Sequence, residues 1–256
     1  MRDCLVLGSG RSGTSLTAGC LANAGYFMGT RLLPPSPTNP KGFFESQDIN
    51  DINEERLATV VARRVPFFGR WFLLDRPVYP QRWLARVPLE ARLRSSRVVD
   101  AAIRAFSAKR PFCFKDPRFC YTLPAWRPHI GDVALVCVFR DPTETAASIL
   151  REKEGSFYLR RLRIDVGAAL EVWTLMYEHV LREFLRGGDW LFLHYDQLLE
   201  GSGLRRLAEF LGVAPDGSFV DKALRRSSRT EVAISGRTSA VYRRLCELAS
   251  FRPGSL

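Results

Sequence analysis

The chain has 256 residues, 46% of them hydrophobic and 11% aromatic, enough for one substantial core. No apolar run approaches the roughly 20 residues that a bilayer-spanning helix needs, and Met1-Arg2-Asp3 leads straight into a strand-like run without a signal-peptide pattern. The 38 Lys and Arg residues, all but five of them Arg, against 27 Asp and Glu leave a formal charge of +11, which favours an anionic ligand without selecting one.

Six scattered cysteines form no Cys-x-x-Cys pair and have no histidine beside them, so they offer no zinc set and read as buried free thiols. A single cytoplasmic domain over residues 1–256 is expected, with no bound metal and no transmembrane segment. A nucleic-acid module is disfavoured because no zinc finger, recognition-helix signature or RNP-type aromatic pattern is present.

In chain order, Cys4-Leu5-Val6-Leu7 is a short apolar strand ended by glycines, and Leu16, Cys20, Leu21 and Ala24 recur at helical spacing as far as Gly25. Residues 27–45 are rich in Pro, Asn and Gly and read as an ordered loop before a helix at about 48–63. Residues 65–110 carry no sharp motif and are expected to form a helical lid or acceptor-side insertion, with an amphipathic helix at 88–107. Phe112-Cys113-Phe114 is a second strand, and residues 133–139 are a third, apolar throughout as in a sheet covered on both faces. Asp141 caps the helix after it, Pro142 occupies its first turn, and Glu144 stands three residues after the cap. A long helix at 165–186, a strand at 190–193 and a helix opening at Tyr195 follow. Strands alternating with helices predict an α/β fold with a mainly parallel, doubly wound sheet and a P-loop-like strand-loop-helix unit, its ligand lying at the carboxyl ends of the strands.

Residues 8–15 are that unit. A glycine-rich turn between strand and helix aims backbone N–H groups at one spot, where the helix dipole also favours an anion. Gly8 and Gly13 have the spacing of G-x-x-x-x-G-K-[ST], but Thr14 stands where the lysine belongs. That lysine reaches the β- and γ-phosphates in P-loop enzymes, so a conventional ATPase or kinase is disfavoured. The loop offers Arg11 with the hydroxyls of Ser12, Thr14 and Ser15 around one phosphate-sized site. A second anion site is suggested by Arg140 at the end of the strongest strand and Ser148 two turns into the following helix.

Taken together, residues 8–15 resemble the 5′-phosphosulfate loop, and Arg140 with Ser148 the 3′-phosphate site, of sulfotransferases that use PAPS (3′-phosphoadenosine 5′-phosphosulfate). The Arg-Ser-Gly-Thr loop is similar to the tyrosylprotein, carbohydrate and bacterial branches, since Arg11 replaces the lysine of the phenol and steroid enzymes. The resemblance implies donor contacts from Gly10, Arg11, Ser12, Gly13, Thr14, Ser15, Arg140 and Ser148, with Tyr195 near the adenine and Arg237 as a late contact to the 3′-phosphate. It also implies sulfuryl transfer to a glycan, glycolipid or other small-molecule hydroxyl or amine without a required metal, leaving PAP (3′-phosphoadenosine 5′-phosphate).

Such a transfer needs an in-line acceptor oxygen, a base, and positive charge on the departing phosphate. Arg11 is the candidate for the leaving-group oxygen. Lys115 resembles a catalytic lysine of the tyrosylprotein branch, and otherwise pairs with Asp116. Glu45 stands where the arginine-loop branches have their base, or else caps the next helix, with Asp48 and Asp116 as alternatives. Arg118 either holds an anionic acceptor or pairs with a carboxylate. Trp71, Trp83 and Trp126 are either stacking surfaces or core. The competing readings are a nucleotide kinase or other phosphotransferase with a degenerate loop, and a nucleotide-binding protein without turnover.

Overall fold

In the computed structural model, which describes residues 1–61, 76–94, 96–224 and 232–254, the described residues form one four-stranded sheet. Its strands are β1 (Cys4–Leu7), β2 (Cys113–Lys115), β3 (Ala134–Phe139) and β4 (Trp190–His194), in the order β2-β1-β3-β4. Every neighbouring pair is parallel, with Leu5 opposite both Phe114 and Leu135, and Leu135 opposite Trp190.

Side chains alternate across this sheet, as a strand's period of two requires. Leu5, Leu7, Phe114, Leu135, Cys137, Phe139 and Phe192 join one core cluster. Cys4, Val6, Cys113, Val136, Val138, Leu191 and Leu193 join the other. The first face is covered by α2 (Gln47–Leu57), α3 (Arg97–Ser107), α4 (Phe119–Ile130), α5 (Pro142–Gly155), α6 (Val166–Phe184) and α9 (Gly236–Leu248). The second is covered by α1 (Thr14–Leu21), α7 (Tyr195–Glu200) and α8 (Ser202–Leu211). The fold is therefore doubly wound, and a strand run apolar at every position is the form a sheet needs when both faces are dry.

Several expected elements sit as read. Asp141 accepts from the N–H groups of Thr143 and Glu144 and starts α5, and Asp165 accepts from Ala168 N and starts α6. Others differ. The amphipathic helix expected at 88–107 begins only at Arg97, where Ser96 caps it by accepting from Val99 N. Helix α4 has no counterpart in the sequence reading, because Pro124 and Pro128 interrupt its helical pattern. Within 65–110, residues 65–75 and Ser95 lie outside the described residues, and Trp71 with them. Trp126 is fully buried and donates from its indole nitrogen to Asn53 Oδ1 at 2.8 Å. All six cysteines are buried and unpaired, and no helix among the described residues is long and apolar enough to cross a membrane.

The turn after β1 is forced by close backbone approach. Gly8 has φ 145°, and a Cβ placed there would stand 2.0 Å from the Val138 carbonyl oxygen on β3. The Gly8→Ala substitution is expected to destabilise the protein by about 3 kcal/mol, read as a lowered urea midpoint with unchanged slope.

Candidate active site

The carboxyl ends of all four strands open into one cleft, as expected where a doubly wound sheet reverses its strand order between β1 and β3. The loop at 8–13 follows β1, Lys115 ends β2, Arg140 follows β3 and Tyr195 follows β4. The cleft has a volume of about 740 Å³, within the range of small-molecule sites.

The glycine-rich loop is tied down from below. Tyr177 on α6 accepts from Ser9 N at 3.0 Å and donates to the Val138 carbonyl at 2.7 Å, while Ser12 N donates to Ser9 O at 3.2 Å. Gly13 adopts φ 99° as it delivers the chain into α1, and a Cβ there would meet the Tyr195 ring at 2.6 Å. No side chain caps α1, and among the described residues no protein acceptor faces the N–H groups of Gly13, Thr14 and Ser15. Those donors, at the positive end of a helix and beside a cleft, fit a phosphate-sized anion. Ser12, expected among the ligand contacts, instead lies buried beneath the loop with its hydroxyl 3.5 Å from Thr145 Oγ1, and it does not line the cleft.

Arg11 sits at the loop apex with φ 72°. Its Nε donates to Ser148 Oγ at 3.3 Å, its Nη2 donates to the Thr38 carbonyl at 3.1 Å, and its Nη1 stands 3.1 Å from Glu152. The residue assigned from sequence to the leaving-group oxygen thus meets the residue assigned to the second phosphate. Burial pulls the Arg11 pKa below its usual value, and Glu152 opposes that shift. Arg140 donates from Nε to Glu144 Oε2 at 2.7 Å and lies over the Tyr195 ring at 4.5 Å. Glu144, Ser148 and Glu152, each four residues from the next, present one face of α5 to these two arginines.

The other wall of the cleft holds Lys115 and Glu45. Lys115 Nζ stands 2.5 Å from Glu45 Oε1 and donates to Ser15 Oγ at 3.1 Å, so a buried ammonium joins the phosphate loop to a carboxylate. Asn50 donates to Glu45 Oε2 at 3.0 Å. Of the three carboxylates weighed as a base, Glu45 alone lines the cleft. Asp48 accepts instead from Thr30 and Arg31, and its bond to Arg31 holds its carboxyl below the usual range. Asp116 is buried against Asn53 and Arg118.

Arg118 takes the second of the roles open to it. Its guanidinium donates to Glu54 Oε1 at 2.7 Å, Asp116 Oδ1 at 3.0 Å and the Pro80 carbonyl at 2.7 Å, with Glu45 Oε2 at 3.9 Å. Burial works against its charge, and Asp116, Glu54 and Glu45 outweigh it to raise its pKa. Glu54 also accepts from Arg82 Nη1 at 2.7 Å. Arg118→Met would leave two buried carboxylates short of a cation, so a loss of about 3–5 kcal/mol is expected in denaturant unfolding.

The cleft therefore gathers Gly10, Arg11, Gly13, Thr14, Ser15, Glu45, Lys115, Arg140, Ser148 and Tyr195. It does not gather Arg237, which opens α9 at the surface, donates from Nε to Glu178 at 2.6 Å and lies away from the cleft wall. Sequence reasoning missed Glu152, Asn50 and Thr38. The spacing of Glu152 from Glu144 and Ser148 was a usable signal for the first, whereas Thr38 acts through its carbonyl and leaves none. Trp83 lines the cleft with its ring against Gly10.

The fold and loop define a parallel α/β architecture with a phosphate-type loop at its topological switch point. No family model and no curated protein matches the chain. Among solved structures, the chain is similar to the sulfotransferase domain of the Synechococcus PCC 7002 olefin synthase, with a TM-score of 0.54 and 16% identity, covering 95% of this chain and 94% of that one. It is also similar to the sulfotransferase domain from the curacin biosynthetic pathway, with a TM-score of 0.55 and 15% identity, covering 98% and 99%. These likenesses establish a shared fold over nearly the whole chain.

Proposed function

We propose that the chain is a PAPS-dependent sulfotransferase of the branch with an Arg-Ser-Gly-Thr loop, acting on a hydroxyl or amine of a glycan, glycolipid or natural product. The observation that carries this reading is Lys115, whose ammonium touches both Ser15 of the phosphate loop and the Glu45 carboxylate. Sulfuryl transfer needs a cation at the departing phosphate and a proton acceptor at the incoming oxygen, and here the two adjoin at the edge of the anion loop. The fold shared with sulfotransferase domains supports the same reading. Six buried free thiols suit a reducing cytoplasm.

In the proposed reaction the 5′-phosphosulfate rests on the N–H groups of Gly13, Thr14 and Ser15, with the Gly10–Arg11 turn beside it. The acceptor oxygen attacks sulfur in line, and the bond between sulfur and the bridging oxygen breaks. The electron pair stays on that oxygen, which leaves as part of PAP and is offset by Lys115 and the loop donors. Glu45 takes the acceptor proton. Arg140 and Ser148 hold the 3′-phosphate, and Tyr195 lies against the adenine. Arg11, facing Ser148, bridges the two phosphate sites, which moves the leaving-group role to Lys115.

Three substitutions separate binding from turnover. Lys115→Ala is expected to lower kcat about 10²- to 10³-fold and Glu45→Gln about 10²- to 10⁴-fold, each with PAP affinity nearly intact. Arg140→Ala is expected to raise the Kd for PAP about 10- to 100-fold. Calorimetry with PAP and with ATP-Mg, and transfer of labelled sulfate from PAPS, provide the readouts. Tight ATP-Mg binding with no PAP binding would overturn the reading in favour of a phosphotransferase.

A further inference from the structure

Asn50 lies in the first turn of α2, placed there by its backbone bond to Ser46 O at 2.9 Å, and it lines the cleft while only 4% exposed. Its side chain has one chemically permitted orientation. The Glu45 carboxylate accepts and cannot donate, so the amide nitrogen must face it, as found at 3.0 Å. Asn50 Oδ1 then points elsewhere, and it is buried without a hydrogen-bond partner among the described residues. A buried acceptor left unmet is costly, and because Asn50 lines the cleft, a bound group that presents an N–H or O–H to Oδ1 relieves that cost. The apolar surfaces of Pro80 and Trp83 line the same cleft and can take a carbon skeleton.

Resting on the sulfotransferase reading, we propose that Asn50 is a specificity residue that accepts a hydrogen bond from a second donor beside the hydroxyl being sulfated. The oxygen that accepts this bond belongs to the same amide that holds the base. The acceptor class is then a vicinal diol or 1,2-amino alcohol, as on a sugar ring or polyol, in preference to a monohydric alcohol or a phenol. One hydroxyl delivers its proton to Glu45 while its neighbour donates to Asn50 Oδ1. Because the amide also orients Glu45, the residue links recognition of the second donor to the position of the base.

Three probes test this in the unmodified protein with labelled PAPS: trans-1,2-cyclohexanediol, trans-2-methoxycyclohexanol and cyclohexanol. The methoxy compound keeps the second oxygen and replaces its hydrogen with a methyl group, while cyclohexanol removes the second donor without adding bulk. The diol is expected to exceed both others by about 10- to 100-fold in kcat/KM. In Asn50→Leu the diol-to-methoxy ratio is expected to fall to about one, with PAP affinity unchanged as the check on folding. Equal turnover of diol and methoxy compound by the unmodified protein would overturn the proposal, as would an undiminished ratio in Asn50→Leu. PAP binding with no turnover of any probe also overturns it while leaving the sulfotransferase reading standing. Absence of PAP binding removes both.

Discussion

The Arg118 guanidinium is the constraint on which the site depends. It follows β2 directly, yet its donors reach Asp116 beside that strand, Glu54 on α2 and the Pro80 carbonyl of the segment that carries Trp83. One buried cation thereby fixes the distance between a strand end, a helix and an irregular segment. Such a cluster is costly to desolvate and contributes little net stability, so its retention is better explained by geometry than by energy. Through Glu54 it holds α2, whose Asn50 binds the Glu45 carboxylate that pairs with Lys115.

From that anchor the cleft divides into two walls with different chemistry. On one, α5 offers Glu144, Ser148 and Glu152 to Arg140 and Arg11, forming a charged surface suited to phosphates. On the other, Lys115, Glu45 and Asn50 form a compact set able to hold or move a proton. The glycine-rich loop lies between them, fastened beneath by Tyr177 and touched above by Asn39, which donates to Ser15 Oγ at 3.4 Å.

Much of the glycine-rich loop and of the arginine wall was legible in the sequence because it depends on local chain geometry. A glycine turn between an apolar strand and a helix, and an arginine ending the strongest strand, are set by neighbours in sequence, and Arg11, Arg140 and Ser148 line one cleft, although Arg11 meets Ser148 where the sequence assigned the two to separate phosphates. The exceptions are instructive. Ser12 faces inward because the loop turns it toward Thr145, and the sequence carries no sign of that rotation. Arg237 resembled a late phosphate contact, but at the start of α9 its close partner is Glu178 on α6. Helix α4 was hidden by Pro124 and Pro128, whose cost is met by the burial of Phe119, Leu123 and Trp126. The role of Arg118 was open because the choice among its partners is made by tertiary contacts far apart in the chain.

The glutamates that accompany the two arginines have a further effect. Arg11 and Arg140 each already hold a carboxylate, from Glu152 and Glu144 respectively. Any anion approaching them must exchange with an occupant that is tethered in place and does not diffuse away. A lone phosphate or chloride gains little from such an exchange. A ligand with two anionic groups at a fixed separation would displace both tethered occupants in one binding event, an advantage that simple salts lack even on a strongly cationic chain.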